Sequence, residues 1–107
     1  MVVTRSGEQK MLHISGQIGE GETLEKQMRS ALAKIEGLLD SEGATYEDLV
    51  KINTYIVDYD STDLAVFRGV RKEIFGDSIT PASTLVGVQA LALPAWKIEI
   101  DAIAISN

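Results

Sequence analysis

The chain has 107 residues, a formal net charge of −6, 45% hydrophobic residues and 24% charged residues. That length fits one domain over residues 1–107 with one core, and the composition is too apolar and too mixed for a disordered chain. With no cysteine, a disulfide framework, a thiol nucleophile and a thiolate metal site are all excluded. Basic residues are scattered except for Arg68, Arg71 and Lys72, so nucleic acid is not an expected partner. The opening "MVVTRSGEQK" carries no long apolar run, and no stretch of about 18 apolar residues occurs. The expectation is a soluble cytoplasmic protein that does not contact a membrane.

In chain order, "VVTRSGEQKMLHIS" reads as two strands around a turn at Ser6, Gly7 and Glu8. Strict alternation from Met11 to Ile18 puts Leu12, Ile14, Gly16 and Ile18 on one face. Met11, His13, Ser15 and Gln17 take the other face. Thr23 is a fair helix N-cap. Leu24, Met28, Ala31, Leu32, Ile35, Leu38 and Leu39 then recur at helical spacing, which predicts a helix over Thr23 to Glu42 stopped by Gly43. The β-branched run "LVKINTYIVDY", Leu49 to Tyr59, predicts a strand. A second helix fits Ser61 to Phe75, with Asp63 in its first turn and Gly76 at its end. Strands follow over Thr84 to Leu91 and Lys97 to Ser106.

The order β-β-α-β-α-β-β predicts an α+β fold with both helices on one face of a sheet. Strand pairing cannot be read directly. The last strand carries Ile98 and Ile100 on one face, and Ile103 and Ile105 on the other. No third layer exists to cover that second face, so a partner subunit is expected there.

Few residues suggest chemistry by type alone. His13 is the only histidine, and it reads as a packed or surface residue rather than a base. No second histidine stands at ligand spacing, so neither a metal nor a cofactor is expected. Gly19 and Gly21 lack the lysine and hydroxyl residue of a phosphate loop. Taken alone, Glu99 is an alternate strand position that faces solvent or pairs with Lys97.

Four segments together resemble the Rid family, also called the YjgF/YER057c/UK114 family: "ISGQIG", "LLDSEGATYEDLVKINTYIVD", "TPASTLVGV" and "KIEIDAIAI". They span nearly the whole chain in order. The resemblance implies a chorismate-mutase-like fold, with two helices packed on one face of a mixed sheet. It also implies a homotrimer whose sheets form a central barrel, with small-molecule clefts between subunits. It further implies hydrolysis of reactive enamines and imines such as 2-aminoacrylate. In the family an arginine of a Pro-Ala-Arg-Ser motif binds the substrate carboxylate, and a last-strand glutamate positions water.

Carried over by residue, Ser15 and Gly16 match the family's Ser-Gly pair, and Glu99 matches the glutamate. "PAST" puts Ser83, followed by Thr84, where the arginine and serine belong. The family's N-terminal tyrosine has no counterpart before Tyr46. A serine hydroxyl cannot replace a guanidinium fork, so an altered substrate is expected. Arg68 and Arg71 stand in the second helix where family sequences often carry Asn and Tyr. They read as a solvated face, with Arg68 as a candidate replacement cation. The alternatives to an imine hydrolase are a non-catalytic metabolite-binding trimer and an endoribonuclease or translation inhibitor. Chorismate mutase activity would need several cleft cations that the sequence does not supply.

Overall fold

The computed structural model describes residues 1–107. Its elements are β1 (Val2–Ser6), β2 (Gln9–Ile18), α1 (Leu24–Asp40), β3 (Leu49–Val57), α2 (Ser61–Phe75), β4 (Ala82–Val88) and β5 (Ile98–Ser106). The five strands form one sheet in the order β1-β2-β5-β3-β4. All neighbours are antiparallel except β3 and β4, which are parallel. Helix α2 supplies the crossover that a parallel pair requires.

Both helices cover one face. Met28, Ala31, Leu32, Ile35 and Leu39 of α1 and Phe67, Val70 and Phe75 of α2 join Leu12, Ile14, Ile52, Ile56, Ile98, Ile100, Ala102 and Ala104 of the sheet in a single core. Thr23 caps α1 by accepting a hydrogen bond from the Lys26 amide at 3.2 Å. At α2, Asp60 and Asp63 form a reciprocal capping box, and Gly76 ends the helix at φ +62°. A short 3-10 turn, Tyr46–Asp48, gives the α1–β3 connection a feature that the sequence pattern did not reveal. There the Tyr46 hydroxyl donates to the Leu32 carbonyl at 2.7 Å and the ring meets Phe75 edge-on at 5.1 Å, joining both helices.

Gln27 is the least expected core residue. It lies on the buried stripe of α1 and is 3% exposed. Its amide nitrogen donates to the carbonyls of Gly21 and Ala95, each at 3.0 Å, and its oxygen accepts from the Lys97 amide at 2.8 Å. A buried amide with all three partners made is stabilising; unpaired it would cost about 1–3 kcal/mol. Gln27 thereby fixes the loop that leads into β5.

The structure departs from the sequence reading at several boundaries and at one register: α1 ends at Asp40 rather than Glu42, with Ser41 as its C-cap, and β5 begins at Ile98 rather than Lys97. Strand β4 spans Ala82–Val88 rather than Thr84 to Leu91, because its parallel register with β3 begins at Lys51 opposite Ala82. Strand β3 ends at Val57, since Asp58 turns the chain at φ +50°. In β2, Ile14 pairs with Ala102 and Gln17 with Ile100, so β2 holds one extra residue, a bulge at Ser15 and Gly16. Beyond it the alternation inverts: Gln17 falls on the helix-side row and Ile18 on the open face, opposite Glu99.

Leu32 is 1% exposed beneath α1. Leu32→Ala is expected to cost about 2–5 kcal/mol as a core cavity. Urea denaturation measures this, and a loss under about 0.5 kcal/mol would mean that the α1 register is wrong.

Candidate functional site

The strand registers sort every candidate side chain onto one of the two sheet faces. On the open face, away from the helices, one row runs Ile18, Glu99, Tyr55 and Val86 across β2, β5, β3 and β4. The next row runs Asp101, Asn53 and Thr84. Beyond that stand Ile103, Lys51 and Ala82, with His13 beside Ile103. The helix-side rows include Ile14, Ala102, Ile52 and Ser83.

Glu99 is half-buried on the open face. It makes no hydrogen bond and no ion pair within the chain, unlike its neighbour Asp101. Asp101 Oδ1 accepts from Asn53 Nδ2 at 2.9 Å, and Oδ2 accepts from the Tyr55 hydroxyl at 3.1 Å. That hydrogen bond to Asp101 raises the Tyr55 phenol above its ordinary pKa, and the charge of Glu99 adds to the shift. Asp101 is thus a fixed structural anion, while Glu99 keeps both oxygens available.

Gly16 is what admits the Glu99 carboxylate. A Cβ built at Gly16 would lie 2.2 Å from Glu99 Oε2 and 2.6 Å from its Cδ. The bulge thus places Gly16 against Glu99, although simple alternation put Gly16 on the helix side. Ser15 is exposed, and its carbonyl accepts from Gln17 Nε2 at 3.0 Å.

Ser83 and Glu99 do not meet within one chain. Ser83 shares a row with Ile52 on the helix side, whereas Glu99 faces the other way. Thr84 is on the Glu99 face, but two strands and one row away, about 12 Å by strand spacing. Its hydroxyl accepts from Lys51 Nζ at 2.7 Å. Arg68 is exposed on α2, in the helix layer. His13 Nε2 lies 3.4 Å from the Thr4 hydroxyl near the β1 edge, remote from Glu99. No group of three or more His, Cys, Asp or Glu side chains could hold a metal ion. No helix is long and apolar enough to cross a membrane.

An apolar pocket escaped the sequence reading. Val57, Leu91, Leu93, Pro94 and Trp96 line it where the loop after β4 folds back on the end of β3. Val57 stands two residues past Tyr55, on the same face of β3, so the pocket adjoins the Glu99 row. Leu91 lies beyond the end of β4 rather than within a strand, and only the loop geometry brings these side chains together.

Residues 3–106 match the sequence family described as Endoribonuclease L-PSP. The chain belongs to that family, the Rid or YjgF family. A RutC family protein of Aquifex aeolicus is 32% identical over 106 residues, covering 88% of this chain and 79% of the relative. The fold is similar to that of a Rid protein from Yersinia pestis, with a TM-score of 0.81 and 34% identity over 88% of this chain and 77% of that one. It is also similar to a YjgF/YER057c/UK114 member from Mycobacterium tuberculosis, with a TM-score of 0.80 and 32% identity over 95% and 82%. The two helices on a mixed five-strand sheet are those of the Rid family. In this Rid chain, the Glu99 carboxylate lies against Gly16.

Two glycine substitutions separate site geometry from folding. In Gly16→Ala the new methyl meets the Glu99 side chain from Cγ to Oε2, so that flexible side chain swings aside and stability falls by under about 1 kcal/mol. In Gly19→Ala the methyl would lie 2.0 Å from the Gln27 carbonyl and 2.7 Å from the Ala31 amide. Those are α1 backbone atoms that cannot yield, so a loss of more than about 2 kcal/mol is expected. Thermal melts of both variants check this; equal destabilisation would refute the assigned contacts.

Proposed function

We propose that this Rid-family chain acts as a homotrimer whose intersubunit clefts hydrolyse an imine or enamine with Glu99 as the water-orienting base. The observation that carries the reading is the Glu99 carboxylate: half-buried, unpartnered in its own chain, and set against a glycine that makes room for it. A carboxylate left free beside a cleft can accept a proton from water.

The steps balance without a cofactor. An enamine first takes a proton from solvent at carbon and becomes the iminium ion. Water attacks the iminium carbon while Glu99 accepts one of its protons, and the C=N bond becomes a C–N single bond in a neutral carbinolamine. Glu99 returns that proton to nitrogen, then takes the hydroxyl proton as the C–N bond breaks, the C=O bond forms and ammonia leaves. Glu99 finally releases that proton to solvent, replacing the one taken at the first step.

Assembly is supported by the sheet edge and by the open face. Strand β4, "ASTLVGV", is an edge strand without a charge or an internal proline, and Val86 is 43% exposed on it. An edge of that kind invites a partner. Ile103 and Ile105 stay only partly covered on the open face. A second copy would bring its own β4 end, with Ser83 and Thr84, toward Glu99.

The substrate differs from 2-aminoacrylate. Ser83 offers no positive charge to an α-carboxylate, and loss of a charge-assisted pair lowers affinity by about one to two decades. The pocket of Val57, Leu93 and Trp96 beside the Glu99 row favours an imine with an apolar substituent. The same Ser83 supports a second reading, a metabolite-binding trimer without turnover. A net charge of −6 argues against RNA as the substrate.

The test is release of ammonia and keto product from imines generated in situ. Slow turnover of 2-aminoacrylate is expected, with faster turnover of an imine carrying a branched or aromatic side chain. Ser83→Arg should raise 2-aminoacrylate turnover at least about tenfold, and Glu99→Gln should lower turnover of every substrate about a hundredfold. Binding without turnover by the natural chain would favour the second reading. Turnover unchanged in Glu99→Gln would overturn the assignment.

A further inference from the structure

We infer that the C-terminal half of α2 carries a binding site for a small oxyanion, a carboxylate or a phosphate, formed by Arg68 and Arg71 with the Thr80 hydroxyl. The site is separate from Glu99: α2 lies in the helix layer, and Glu99 is on the opposite face of the sheet.

Of the ten basic residues in this acidic chain, five have a side-chain partner. Lys10 meets Glu42, Arg29 meets Glu25 and Glu73, Lys34 meets Glu20, Lys72 meets Asp77, and Lys51 meets Thr84. The nearby carboxylates on α2 and just after it are therefore taken, Glu73 by Arg29 and Asp77 by Lys72. Arg68 and Arg71 make no ion pair and no side-chain hydrogen bond.

Their arrangement is unfavourable without a ligand. Residues three apart on a helix are neighbours, and like charges there destabilise it. Arg71 is also half-buried, which strips water from a charge that nothing in the chain neutralises. The two side chains line one depression together with Lys72, Asp77, Ile79 and Thr80. Ile79 is an apolar floor, Thr80 offers a hydroxyl donor, and Lys72 with Asp77 is neutral as a pair. The depression therefore keeps a net charge of +2 from its two free guanidiniums. Guanidinium forks suit carboxylate and phosphate oxygens, which accept paired N–H donors at fixed geometry. An oxyanion between Arg68 and Arg71 removes their repulsion and supplies the missing acceptors.

The test is an NMR titration of the full chain with pyruvate and, separately, with inorganic phosphate, each at constant ionic strength. The expected result is saturable shifts at the amides of Gly76, Asp77 and Thr80, with a dissociation constant in the millimolar range or tighter. In the Arg68→Gln/Arg71→Gln variant affinity should fall at least about tenfold. Arg5→Gln, at the far edge of the sheet, should leave it unchanged. Saturation by pyruvate alone identifies a carboxylate ligand, and saturation by phosphate alone identifies a phosphate. Shifts spread over all basic residues, or affinity unchanged in the double variant, would overturn the site. Circular dichroism on each variant separates loss of binding from loss of fold.

Discussion

Strand β5 runs between β2 and β3, and its register decides which face every candidate side chain takes. Ile98, Ile100, Ala102 and Ala104 are at most 2% exposed beneath the helices, so the intervening Glu99, Asp101, Ile103 and Ile105 must point the other way. A slip of one residue would drive two carboxylates into the core and two isoleucines to the open side. Burial of the first set holds the register against this, and the Gln27 clamp on Ala95 and Lys97 fixes where β5 begins. The position of Glu99 is thus a consequence of core packing rather than of any contact it makes itself.

Most elements were legible because their signals are local. The α1 stripe, the Thr23 cap and the Gly76 stop depend on spacing within a few residues, and the structure agrees with each. What failed depends on pairing between distant segments. Alternation put Gly16 on the helix side, and only the β2–β5 register reveals the extra residue that turns it toward Glu99. The family likeness had already named Gly16 and Glu99, but not that one makes space for the other. Ser83 was expected near Glu99; the parallel register of β3 and β4 puts the two on opposite faces of one chain. Gln27 had no signal at all, since a polar residue on an apolar stripe looks like an interruption until its three partners are in place.

The charges divide into those the chain satisfies and those it leaves open. Asp101 is held by Asn53 and Tyr55, Asp60 by its capping box, and Glu20 by Lys34 and Ser30, which draw its carboxyl down to about 2. Glu99 on one layer, and Arg68 and Arg71 on the other, have no such partners. In a small acidic domain most exposed charges can remain solvated at little cost. A half-buried group left without a partner is a stronger pointer to a ligand, and Glu99 and Arg71, on opposite sides of the sheet, are such groups.

The open face is the link between fold and function. It joins partly covered isoleucines, an unprotected β4 edge and the free Glu99, and the proposed homotrimer is the assembly that would cover it. Sedimentation equilibrium at low micromolar concentration tests this most directly. A single species of three times the 11.6 kDa chain mass is expected, unchanged on tenfold dilution. A stable 11.6 kDa species at those concentrations would contradict it.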